Sequence, residues 1–178
     1  MLLSLPLGTA WHELMGHGLV SVLCGGRIGS AEVLGVQVWP GLGWRGWPQV
    51  YGTCQVEDVP TAVGDQLTLL AGSMSTWLVA VGATTLLWMR HWHGFSRAMM
   101  ICLSLWWIDL LTYTLPSWGL RRSILRGRVY SEPYQAATAL GIPGPAFQGF
   151  VVLSSAVLLA VLGLRLMGDS RRTGRGQT

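Results

Sequence analysis

Residues 11–18 read WHELMGHG and set two imidazoles and a carboxylate within six positions: His12, Glu13 and His17. Imidazole is the commonest protein metal ligand, and a glutamate beside two metal-binding histidines is the base of zinc hydrolases. In the common HExxH arrangement four residues separate the histidines, close to one turn of 3.6 residues, so both rings share a helix face. Here the spacing is HExxxH. Five residues of regular α-helix rotate the second ring by roughly 140° from the first, too far for a shared ion. A π-helical turn accommodates one extra residue and brings His17 back beneath His12. Such turns gather at functional sites, and Gly16 and Gly18 make the distortion cheap. The spacing therefore predicts a departure from α geometry between two zinc ligands, His12 and His17, with Glu13 as the catalytic base.

The rival reading is that the three side chains merely decorate a helix end. Three ionisable groups inside an apolar run are costly, which favours function. A catalytic zinc takes three protein ligands and a water, and the chain has only eight acidic residues from which to choose the third. Glu32, Glu57 and Asp58 fall in a β-prone region, Asp169 in the tail, and Asp65 just before an apolar run, where it fits a helix N-cap. Asp109 and Glu132 remain. Asp109 lies in the middle of an apolar run, where a carboxylate is a functional candidate or is bonded within the bundle. His91 and His93, in RHWH, sit between apolar runs beside Trp88 and Trp92 and fit an interfacial belt better than a metal site. Cys24, Cys54 and Cys102 form no CxxC pair and read as small apolar fillers.

The elements that must position these groups are membrane helices. Hydrophobic residues make up 51% of the 178 residues and charged residues 11%, against about 25% charged in soluble domains. The 24 residues Gln66–Met89 carry no charge, Ala98–Leu120 only Asp109, and about 20 such residues span a bilayer core. Pro133–Leu164 is uncharged, but Pro143 and Pro145 move the expected span to begin near Ala146. Met1–Leu23 is apolar apart from His12, Glu13 and His17. It makes a poor signal peptide, with no positive n-region and three ionisable groups in its core. The expected fold is thus mainly α and polytopic, about four transmembrane helices forming one domain over 1–168. Residues 26–64, with Val33, Leu34, Val36, Val38 and Trp39 and then Val50, Tyr51 and Val56, read as a small β-hairpin or sheet at the membrane surface. Residues 169–178, DSRRTGRGQT, read as a disordered tail. All twelve basic residues are arginine. Four spans divide them six against six, which leaves orientation open. They flank apolar runs rather than forming a basic stripe with interleaved aromatics, so the expected partner is the lipid bilayer and not nucleic acid.

Three segments resemble the site-2-protease class of intramembrane zinc metalloproteases, in particular its small bacterial members. HELMGHGLVSVLCGGRI is similar to that family's first signature, and LTLLAGSMSTWLVAV (67–81) to a second-span segment of the form AGPxxN. SEPYQAATALGIP (131–143) looks like a late block with an acidic residue ahead of an LGIP-like turn. The sequence departs from the family pattern at Ser73, which stands for the proline of AGP, and in lacking an NxxPxxxxDG motif. The HExxGH spacing itself occurs in the soluble dipeptidyl peptidase III family.

The resemblance implies residence in a bacterial cytoplasmic membrane, Glu132 as third zinc ligand with Asp109 as the alternative, and peptide-bond hydrolysis in or near the membrane. Asp109 then orients a ligand or the substrate. The substrate is a membrane-associated peptide or protein held extended, because a helix hides its carbonyls. An exposed strand edge in 26–64 suits that task. The alternative is a catalytically inactive, metal-binding scaffold or regulator. A metal carrier or channel is disfavoured, since no chain of polar residues runs through the other spans.

Overall fold

The computed structural model describes residues 4–46, 51–120 and 130–174. The first helix runs in three segments of 7, 8 and 5 residues: α1 (Ser4–Ala10), a π-helical segment (Trp11–Gly18) and α2 (Leu19–Leu23). The π geometry covers the whole of the WHELMGHG motif, as the histidine spacing requires. A four-stranded antiparallel sheet follows: β1 (Arg27–Val33), β2 (Val36–Trp39), β3 (Gly43–Trp44) and β4 (Gly52–Glu57). Its order is β3-β2-β1-β4, so β4 is an edge strand. Val33 pairs with Val36 across a two-residue turn, in which Leu34 and Gly35 take φ of 51° and 79°, the signs of a type I′ hairpin turn.

Helix α3 (Ala62–Met89) is the central element and touches the π segment, α2 and each of the later helices α4–α7. It begins earlier than the apolar run implied. Thr61 is the N-cap and accepts from the Gly64 amide at 3.0 Å, so Asp65 lies in the first turn and is not the cap. The buried face of α3 carries Gly64, Thr68, Gly72, Thr76 and Ala80 at every fourth position. Small residues at that spacing let neighbouring helix backbones approach closely, the usual device of membrane bundles. Outward-facing apolar residues such as Leu78 and Trp88 are exposed, as a lipid-facing surface demands.

Helices α4 (Gly94–Ser104) and α5 (Trp107–Thr114), with a 3-10 turn at Leu115–Trp118, form the next apolar rod. Its joint is a tightened turn. Leu105, Trp106, Ile108 and Asp109 each donate to the carbonyl three residues back, which re-aims α5 toward the first helix. After α6 (Glu132–Ala139), α7 (Gly144–Gly174) closes the bundle. Its start two residues before Ala146 places Pro145 in the first turn, where a missing N–H costs nothing. The tail expected to be disordered from Asp169 instead continues α7 to Gly174. Extending a formed helix needs no new nucleus, and no proline follows Pro145 before Gly174. Residues 175–178 of that expected tail, and Val50 of the expected β region, lie outside the described residues.

Among the described residues, three helical stretches are long and apolar enough to cross a membrane. They are Ala62–Met89, Gly94–Trp118 and Gly144–Gly168, of 28, 25 and 25 residues and mean hydropathy 1.4, 1.5 and 2.3. These mark a membrane protein. The first helix, broken by its π segment, is not among them.

The π segment and α3 approach each other backbone to backbone. A Cβ added at Gly16 would lie 2.5 Å from the Gly72 Cα and 3.0 Å from the Ala71 carbonyl oxygen, both backbone atoms that cannot rotate away. Gly16→Ala is therefore expected to destabilise the protein by about 1–3 kcal/mol through overpacking. Gly82→Ala, where nothing lies within 4 Å, should be neutral or stabilising. Thermal melting of both variants in detergent checks the contrast, and equal melting temperatures would refute the close helix contact.

Candidate metal centre

The π segment presents His12, Glu13 and His17 inward, all buried. The His12 and His17 Nε2 atoms face each other at 3.1 Å. Each ring is held from behind. His17 Nδ1 donates to the Thr68 carbonyl at 2.8 Å, and His12 Nδ1 to Asp109 Oδ2 at 2.7 Å. A carbonyl oxygen can only accept, so the His17 proton sits on Nδ1, and the Asp109 carboxylate selects the same tautomer for His12. In the neutral rings with that tautomer both Nε2 lone pairs face one another, an arrangement that a cation between or beside them would relieve. Two tetrahedral zinc ligands at about 2.0–2.1 Å stand roughly 3.3 Å apart. The observed separation fits that edge.

Glu132, the first residue of α6, completes a triplet with the two histidines. One ligand atom from each of His12, His17 and Glu132 falls within 4.8 Å of the others. The charges fit the same group, since two imidazoles among the carboxylates of Glu13, Asp109 and Glu132 suit a dication better than one shared proton. Asp109 stands one layer out. Its Oδ2 accepts from both His12 and the Thr76 hydroxyl, the latter at 2.8 Å, the position a carboxylate takes behind a histidine that binds a metal. His91 and His93 take no part, and His91 Nδ1 accepts from Arg165 Nη2 at 3.1 Å.

A cavity of about 310 Å³ opens beside the triplet, lined by Glu13, His17, Glu132, Tyr113, Thr68, Asp65 and residues of β4. Glu13 packs on the β4 backbone: a Cβ at Gly52 would sit 2.6 Å from its Oε1. Cys54 lines the same cavity and is not the core filler its type implied. Burial pushes its thiol up to about 11, and the Glu13 charge acts in the same direction, so it stays protonated at neutral pH. The Tyr113 ring packs on His12 with centroids 4.8 Å apart.

Several of these groups carried no chemical signal in the sequence. The Thr68 carbonyl is anonymous, and Tyr113 and Cys54 are ordinary residue types in ordinary segments. Thr76 was legible in part, since it occupies the asparagine position of the AGPxxN-like segment. Gly72, the glycine of that segment, has a plain role: a Cβ there would run into the Nε2 atoms of both His12 and His17. Comparison of the chain with protein-family models, with curated proteins and with solved structures gives no match.

Two expectations follow for metal content. Purified protein is expected to carry about one zinc per chain, and the His12→Ala, His17→Ala double variant none. Gly72→Ala keeps every ligand but sets a methyl against both ring nitrogens, so it should also lose the metal; elemental analysis of the three proteins decides. Separately, Glu132→Ala should weaken zinc binding more than Asp109→Ala does, because an outer partner is worth about 10- to 100-fold. Competition with a fluorescent chelator measures both, and the reverse order would move the ligand role to Asp109.

Proposed function

We propose that this protein is a zinc-dependent metallopeptidase of the membrane, hydrolysing peptide bonds in or beside the bilayer. The observation that carries the proposal is the convergence of the His12 and His17 Nε2 atoms with Glu132, next to a cavity that holds the Glu13 carboxylate. His12, His17 and Glu132 hold the metal. Zinc there supplies a Lewis acid for the scissile carbonyl and a water acidified toward a pKa of about 7. Glu13 takes the proton of the attacking water and returns it to the leaving amine. Asp109 and the Thr68 carbonyl keep both imidazoles in the tautomer that offers Nε2.

The substrate is a membrane-associated peptide segment in extended form. The edge strand β4 supports this, because Gly52, Thr53, Cys54 and Val56 wall the cavity and an edge strand offers unpaired backbone groups to an added strand. The first helix is the fourth membrane segment on this reading. Leu7, Trp11, Met15, Leu19 and Val22 form an exposed apolar stripe down its outer side, which lipid covers. The resemblance of the three sequence segments to small bacterial site-2 proteases agrees with this assignment and with a bacterial cytoplasmic membrane.

Glu13→Gln tests the chemistry directly. With labelled casein as an unstructured probe in detergent, the variant should lose about 10²- to 10⁴-fold in cleavage rate and retain its zinc. Parent protein that binds zinc but cleaves no faster than Glu13→Gln would be a metal-binding scaffold, and the peptidase reading would fall.

A further inference from the structure

The far end of the bundle holds a second built feature, unrelated to the metal centre. Arg165 of α7 reaches across to the C-terminal turn of α3. Its Nε donates to the Leu87 carbonyl at 2.7 Å, and its Nη2 to the Arg90 carbonyl at 3.4 Å and to His91 Nδ1 at 3.1 Å. Two backbone carbonyls and an imidazole nitrogen thus hold the guanidinium at the end of the bundle. Because His91 accepts through Nδ1, its neutral ring carries its proton on Nε2. Beside the guanidinium opens a cavity of about 300 Å³ lined by Trp88, His91, Leu164, Arg165 and Gly168.

The chemistry of this corner is amphipathic. One side is lined by the Arg165 guanidinium, the His91 imidazole and the Trp88 indole. The other is apolar, with Leu164 in the wall and Met89 and Met167 exposed next to it. The position matches, because α3 and α7 both reach the limit of their apolar stretches here, where indoles and arginines meet lipid headgroups. A soluble anion needs no apolar wall, and a neutral lipid needs no fixed cation. Basic pockets between membrane helices at this level take anionic headgroups. We infer that the pocket formed by Trp88, His91, Leu164 and Arg165 binds the phosphate of an anionic glycerophospholipid, with an acyl chain along α7. The lipid clamps the ends of α3 and α7 together. The inference stands apart from the peptidase reading.

The full-length protein in detergent, titrated with phosphatidylglycerol or phosphatidylcholine and followed by native mass spectrometry, tests it. Phosphatidylglycerol is expected to bind about tenfold more tightly than phosphatidylcholine. His91→Ala and Trp88→Phe should each weaken it about five- to tenfold, the effect of one hydrogen-bonding or basic group on a headgroup phosphate. Arg165→Gln should weaken it at least as much. That variant also removes a clamp between helices, so the two milder substitutions decide the matter. Arg27→Gln, on the sheet and far from this end, should bind like the parent. Equal affinity for the two lipids, or parent-like binding by both His91→Ala and Trp88→Phe, would overturn the inference. Inorganic phosphate raising the melting temperature as much as phosphatidylglycerol would overturn it too, since the site would then take free anions.

Discussion

The structure depends on one constraint, that two imidazoles five residues apart on a single helix must reach a common point. Regular α geometry forbids it, so the backbone widens to π over the eight residues Trp11–Gly18. That widening has a second consequence. It thickens the helix at the level where it must also pack closely on α3, and the contact survives only because Gly16 meets Gly72 with no side chain on either. The space a Cβ of Gly72 would fill is then taken by the two ring nitrogens. The motif on one helix and the small-residue stripe on the other are therefore a single device, and neither has a purpose alone.

The buried charge obeys the same logic of mutual dependence. Ionisable groups in an apolar bundle are tolerated when they pair with one another, and here they are gathered at one level. Asp109 serves His12 and Thr76, while the Thr68 carbonyl serves His17. The tightened turn between α4 and α5 aims Asp109, and the N-terminus of α6 delivers Glu132. Away from this level the packing is plainly apolar, as around Leu110, Ala137, Phe147 and Val151. Removing one carboxylate leaves a half-satisfied polar network in a low-dielectric setting, which is costlier than losing a surface ion pair such as Arg27 with Glu57 and Asp58.

How much of this was legible depended on what kind of signal each part leaves. The apolar runs and the β-prone insertion were readable, because burial in lipid and strand propensity act on composition. The π segment was readable from arithmetic alone, since HExxxH admits few other geometries. The boundaries were less so. Thr61 rather than Asp65 caps α3: both are capping residue types, and only the backbone, extended at Thr61 and helical from Ala62, decides between them. Asp169–Gly174 read as disordered by charge, yet a membrane helix already formed carries them along. The arrangement around the histidines was only half visible. Residue types name His12 and His17 and leave Asp109 and Glu132 as candidates for the third place, but nothing in a sequence says which carbonyl will hold a ring or that Cys54 will line a cavity.

The proposed hydrolysis beside a bilayer would need water and an extended substrate at the same place, and the depth of the centre bears on both needs. Thr68 and Gly72 lie about 9 and 15 Å along α3 from its start at Ala62, at 1.5 Å per residue. The centre is thus one to two turns beyond the polar first turn of α3 and not at the middle of the span. The cavity is lined from that level to Asp65 and β4. The sheet is held there by contacts of β1 and β4 with the π segment itself, which fixes the edge strand at the height of Glu13. A strand added along β4 would carry its carbonyls past the Glu13 carboxylate without having to unfold any part of this protein. The helix that carries the histidines, the sheet whose β4 lines the cavity and the first turns of α3 thus meet at one level, where charge and space lie together.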